Sequence, residues 1–156
     1  MIARTRFETK KRVAQVFGRW LCIAAAVIGT ASGQAGEPDR FFGKTFGEFD
    51  LEMQAAKKEG KAGVLIAFEL DDCVYCIRMR EKVFVRPEVR EYYHRNFLVF
   101  SVDVSGDVPL RDFEGRATTE KQFAAAHRVL GTPTYLFFDT SGREMARHVG
   151  PTRDAK

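Results

Sequence analysis

The sequence predicts an α/β domain of three layers, with helices on both faces of a mixed sheet. Three observations carry this expectation. Two runs, Val64-Leu65-Ile66-Ala67-Phe68 and Phe97 to Val102, are apolar without alternation and read as strands buried on both faces. Segments of helical periodicity precede and follow each of them. A third run, Tyr135-Leu136-Phe137-Phe138, is joined by the turn Asp139-Thr140-Ser141-Gly142 to a return strand, Arg143 to Val149. Two parallel strands with helical crossovers, then a hairpin, give a layered α/β order.

The elements follow in turn. Residues 36–47 are rich in glycine, phenylalanine and charge and read as a lead-in with little regular structure, though Phe41, Phe42, Phe46 and Phe49 are able to pack on the domain. Residues 48–60 read as a helix, with Phe49, Met53 and Ala56 on one stripe and Gly60 as a stop. A helix opens near Cys73, with Cys76, Ile77, Arg80, Val83 and Phe84 at three- and four-residue spacing. Pro87 suits the first turn of the next helix, which runs to about residue 95. Residues 104–118 read as a polar insertion. Thr119 to Gln122 matches a capping box and starts a helix through Leu130, closed by Gly131.

Charge is unevenly placed. The chain of 156 residues has a formal net charge of +4. Arg4, Arg6, Lys10, Lys11, Arg12 and Arg19 stand against Glu8 alone in the first nineteen residues, so the remainder is close to neutral. The basic balance belongs to the leader, which excludes a nucleic-acid or anionic-lipid surface on the domain. After this basic stretch come an apolar segment, Trp20 to Ile28, and small residues around Ala31-Ser32-Gly33. That is the pattern of a signal peptide, expected over residues 1–35. The apolar segment is short for a stable membrane span; an uncleaved anchor is the alternative. Export to the periplasm is the expected localisation.

Removal of the leader would take Cys22 with it and leave Cys73 and Cys76 alone. A C-x-x-C bridge closes a very small loop and constrains the unfolded chain little, so the pair suits redox cycling better than stapling. At a helix start, backbone N–H groups favour a thiolate, and Cys73 gains most. Asp71 and Asp72 oppose that ionisation, whereas Arg78, Arg80 and Lys82 favour it from farther away. A zinc site would need a second C-x-x-C or a histidine pair, and His94, His127 and His148 form none. Covalent haem would need histidine after Cys76, where Ile77 stands. No metal and no cofactor are expected.

A second motif, Gly131-Thr132-Pro133-Thr134, lies between a helix and a strand. Proline cannot donate to a sheet ladder, so it marks a special turn, with a cis bond as one option. Beside a dithiol, the backbone of Thr132 would be free to pair with an extended substrate.

Together, strand 64–69, Cys73–Cys76, Gly131-Thr132-Pro133-Thr134 and hairpin 135–149 resemble the thioredoxin superfamily over residues 48–150. Phe68-Glu69, the Lys82-Val83-Phe84 and Pro87-Glu88-Val89 stretch, and the insertion before the Lys121-Gln122 helix resemble exported SoxW-type thioredoxins of bacterial sulfur-oxidation systems. The same region is similar to the C-terminal thioredoxin domain of the transmembrane reductant conductor DsbD. The resemblance implies a thioredoxin fold over 48–156, Cys73 as attacking thiol, Cys76 as resolving thiol, and Pro133 as a cis proline touching substrate backbone. It also implies departures. Asp72 replaces the tryptophan before the first cysteine, Val74-Tyr75 replaces Gly-Pro, and Ala67 replaces the buried acid. Glu69 is a candidate for proton transfer, against a solvated or ion-paired role. Tyr75 is a candidate for the docking surface, against simple packing. The family's terminal helix would begin near Gly150, so a truncated sequence is expected.

The expected function is an exported thiol–disulfide oxidoreductase that reduces disulfides of periplasmic proteins, recharged by a membrane thiol donor such as a DsbD-like protein. The alternatives are an oxidase or isomerase, or a non-catalytic binding module of the same fold.

Overall fold

The computed structural model describes residues 40–152. The expected leader, and a terminal helix beyond Thr152, lie outside the described residues. Helix α1 is Phe49–Lys58 and buries Phe49, Met53 and Ala56, as its periodicity predicts. Strand β1, Gly63–Glu69, is buried at every position. Helix α2, Val74–Arg78, passes into a π turn, Met79–Val83. Helix α3, Pro87–Asn96, carries Pro87 in its first turn. Then come β2 (Phe97–Asp103), β3 (Pro109–Arg111), β4 (Ala117–Thr119), α4 (Glu120–Ala126), β5 (Thr134–Asp139) and β6 (Glu144–Val149).

The main sheet has the order β2-β1-β5-β6. Strand β1 runs parallel to β2 and antiparallel to β5, and β5 pairs antiparallel with β6. This is the mixed sheet of a thioredoxin fold. One core joins Phe49, Met53, Phe123 and Ala124 of α1 and α4 to Val64, Ile66 and Phe68. The other joins Met79, Val83, Phe84 and Val89 to Leu65, Ala67 and Tyr135 on the opposite face. Alternation along β1 thus divides its side chains between two apolar layers.

Three details differ from the sequence reading. The helix opened by the cysteines does not stay α-helical: Phe84 N–H bonds to Met79 O at 2.9 Å, an i→i+5 closure that widens the turn. The insertion 104–118 contains the β3–β4 hairpin, and Leu110 sends its side chain into the core. Helix α4 stops at Ala126, short of Leu130. Arg128 takes φ 53°, and Arg128 N–H and Val129 N–H bond back to Ala125 and Ala124. This is a Schellman closure with arginine at the left-handed position usually held by glycine. Gly131 therefore does not end the helix. The described part of the lead-in has little regular structure and packs on the domain, as expected. Phe41 is buried and stacks on Phe84 at 3.9 Å, and Gly43 N–H bonds to Val99 O at 2.8 Å. Phe46, by contrast, is fully exposed.

Candidate active site

The site is built at the end of β1. The chain leaves the sheet at Glu69 and turns back through a Cys73 N–H bond to Leu70 O at 3.2 Å. Cys73 is the N-cap of α2, with extended backbone, and its Sγ accepts the Cys76 N–H at 3.1 Å. The thiol thus takes the place of the serine or aspartate oxygen that usually caps a helix. Cys73 and Cys76 are joined in a disulfide with Cα atoms 5.2 Å apart. Cys73 is half-buried, whereas Cys76 is only 2% exposed. That asymmetry leaves the Cys73 sulfur open to an approaching molecule and the Cys76 sulfur enclosed. An N–H aimed at Cys73 Sγ also favours its thiolate over its thiol.

Phe68 pairs with Thr134, which sets the Thr132–Pro133 loop at the same end of the sheet as the cysteine turn. The Thr132–Pro133 bond is cis. Pro133 is fully buried, its carbonyl takes the Gly150 N–H at 2.8 Å, and Thr132 remains half-exposed. Thr134 Oγ1 donates to Gly131 O at 2.6 Å and braces the loop. Tyr75 and Val74 stand out into solvent beside the disulfide, and Asp71 and Asp72 are exposed just before it.

Glu69 is 5% exposed, a rare position for a carboxylate. Its face is that of Ala67, two residues earlier, as alternation along β1 requires. Arg80, four residues after Cys76 and thus on the same side of the helix, binds Glu69 Oε2 through Nε at 3.1 Å and through Nη2. The Arg80 guanidinium also lies 4.6 Å over the Phe42 ring. Glu69 Oε1 is buried without a hydrogen-bond partner. Burial pushes the Glu69 carboxyl above its ordinary range, and Arg80 pulls it back only in part. Glu69, Cys76 and Arg80 share the wall of a cavity of about 380 Å³ with Asp71, Asp103 and Glu120.

Sequence reasoning named Glu69 but missed Arg80 as its partner and missed Tyr135 altogether. The Cys76–Arg80 spacing was a usable signal for the first. Tyr135 lay hidden in an apolar run. Among the described residues, no three His, Cys, Asp or Glu side chains converge to hold a metal ion.

The family model for a Thioredoxin-like domain matches residues 49–156. The chain belongs to that family. A search of the curated proteins finds no significant match. Among solved structures the domain is similar to a putative disulphide-isomerase from Bacteroides thetaiotaomicron, with TM-score 0.56 and 24% identity over 73% of this chain and 82% of that one. It is similar to a thioredoxin from Thermus thermophilus, with TM-score 0.50 and 27% identity over 66% of this chain and 72% of that one. It is similar in fold to the reduced DsbD C-terminal domain of Neisseria meningitidis, with TM-score 0.50 and 18% identity over 65% of this chain and 79% of that one. A thioredoxin-like domain with a redox-active C-x-x-C pair of this form is equipped as a thiol–disulfide oxidoreductase.

Proposed function

We propose that this thioredoxin-like domain is exported to the periplasm, where it reduces disulfides of other proteins in the manner of SoxW-type thioredoxins and is recharged by a DsbD-like membrane donor. The observation that carries the chemistry is the Cys73–Cys76 asymmetry: a capped, accessible sulfur bonded to an enclosed one. The leader's charge pattern supports export, and the sequence resemblance supports the reductive direction.

In the reaction, the Cys73 thiolate attacks a substrate disulfide and displaces one substrate thiolate. A mixed disulfide joins Cys73 to the other substrate sulfur. Cys76 then gives its proton to the Glu69 carboxylate, and its sulfur attacks Cys73. The Cys73–substrate bond breaks, and its electron pair leaves with the substrate thiolate. The substrate gains two electrons and the domain loses two, ending as the disulfide seen here. Thr132 and Pro133 would align the substrate backbone, with Tyr75 beside them.

Two variants test this reading. Cys73→Ser is expected to abolish insulin reduction with dithiothreitol, and undiminished activity would refute the enzyme reading. Cys76→Ser, expressed in the exporting cell, is expected to retain periplasmic proteins as mixed disulfides identifiable by mass spectrometry. Trapped partners that carry disulfides, together with a native pair found mainly reduced in the cell, support the reductase. A native pair found mainly oxidised in the cell favours the oxidase alternative.

A further inference from the structure

Among the described residues, two buried polar atoms on the face that carries Cys76 have no hydrogen-bond partner: Glu69 Oε1 and the Tyr135 hydroxyl. Leaving such groups unpaired is costly, and native interiors rarely tolerate it without a reason. Their placement supplies one. Tyr135 is the β5 partner of Ala67, and Glu69 lies two residues farther along β1 on the same face. The charges nearest in effect to the Tyr135 hydroxyl are Glu69 and then Arg80. One group is a donor held neutral by burial. The other is an acceptor oxygen that Arg80, bound to Oε2, leaves open.

We infer that Tyr135 is a positioning residue for the resolving step, its hydroxyl donating to Glu69 Oε1 through one bridging water. The inference rests on the proposed role of Glu69 as acceptor of the Cys76 proton. Arg80 and Tyr135 would hold the carboxylate from both oxygens. Burial makes Glu69 more basic, and both bonds favour the ionised form and so offset that effect, which keeps the carboxylate charged and able to take a proton near neutral pH. Tyr135 keeps its own proton throughout; the proton that moves goes from Cys76 Sγ to Glu69. Asp71 on the turn, Asp103 on β2 and Glu120 on α4 line the cavity beside Glu69, and Glu88 and Tyr92 on α3 line the one beside Tyr135. Tyr93 on α3 acts on the Tyr135 hydroxyl, and His148 on β6 stacks on its ring at 6.1 Å.

The test separates the two thiol steps in the full chain carrying Cys22→Ser, so that only the pair reacts. Mixed with 5,5′-dithiobis(2-nitrobenzoate), the reduced protein releases one nitrothiobenzoate as Cys73 attacks and a second as Cys76 resolves. The pH profile of each phase is followed for the native pair, Tyr135→Phe, Glu69→Gln and the double variant. Tyr135→Phe keeps the ring and removes only the donor. It is expected to move the midpoint of the second phase upward by about one pH unit, the equivalent of one lost bond to a charged group, and to leave the first phase in place. In the Glu69→Gln background the same change is expected to move nothing. If Glu69→Gln removes that midpoint but Tyr135→Phe does not shift it, the Tyr135 inference is overturned and the Glu69 reading stands. If Glu69→Gln leaves the second phase unchanged, the Glu69 reading fails and takes the inference with it. Equal slowing of both phases by Tyr135→Phe also overturns it, since a loosened fold would do the same.

Discussion

Glu69 occupies a site that packing alone would give to an apolar side chain, on the face of β1 that also carries Leu65 and Ala67. Burial raises its pKa above the ordinary carboxyl value of 4.5, because the folded protein disfavours the charge more than Arg80 restores it. The folded state therefore binds a proton here more readily than the unfolded chain. That proton's contribution to stability is complete below the ordinary value and is lost as pH rises through the raised one. Glutamine mimics the protonated form. Glu69→Gln is thus expected to melt at a higher temperature than the native protein at pH 8, with the gap closing as pH falls toward 4. Arg80, about half exposed, would be solvated once released. Thermal unfolding across that pH series checks the trend, and a variant that melts lower at pH 8 would contradict it. Such a residue makes sense as stability given up for chemistry. Its burial was not legible in the sequence: at the end of its strand Glu69 reads equally as a proton-transfer candidate or as a solvated or ion-paired residue, and nothing in the string announced Arg80 as its partner.

Elements with strong local signals were legible, and elements closed by unusual residues were not. The buried strands β1 and β5 announced themselves as apolar runs, and their register is held closely at Gly63. A Cβ at that position would lie 1.8 Å from Phe138 O on the neighbouring strand. Gly63→Ala must push β1 away from β5 and is expected to cost about 1–3 kcal/mol, measured by chemical denaturation. An unchanged unfolding midpoint would mean the strands are not so closely apposed. The end of α4 went unread because arginine, not glycine, takes the left-handed position at residue 128. The hairpin in 104–118 went unread because strands of three residues, Pro109–Arg111 and Ala117–Thr119, are too short to show alternation. The π turn was invisible for a different reason: widening one turn leaves the three- and four-residue spacing of Val83 and Phe84 almost intact. The widened segment carries the arginine that meets Glu69.

At the scale of the molecule, the sheet separates two apolar layers with different duties. The layer under α2 and α3 includes Met79, Ala67 and Tyr135 and adjoins Cys76, so changes there reach the chemistry. The layer under α1 and α4 is centred on Phe123, whose ring lies 4.5 Å from His127, 5.2 Å from Phe49 and 5.9 Å from Phe68. Phe123 is 1% exposed, so Phe123→Ala removes a full side chain from a packed interior and is expected to cost about 3–5 kcal/mol. Against a total of about 5–15 kcal/mol for an ordinary domain, that is a severe loss. Yet Phe123 packs on the face of β1 opposite to Ala67. Below its lowered melting temperature, the variant is expected to exchange disulfides within about threefold of the native rate, a difference of under about 1 kcal/mol in the barrier. Parallel melting curves and insulin-reduction rates decide the matter. A large fall in rate at full folding would show that the two layers are coupled through the sheet, and the division of labour drawn from the core would have to be abandoned.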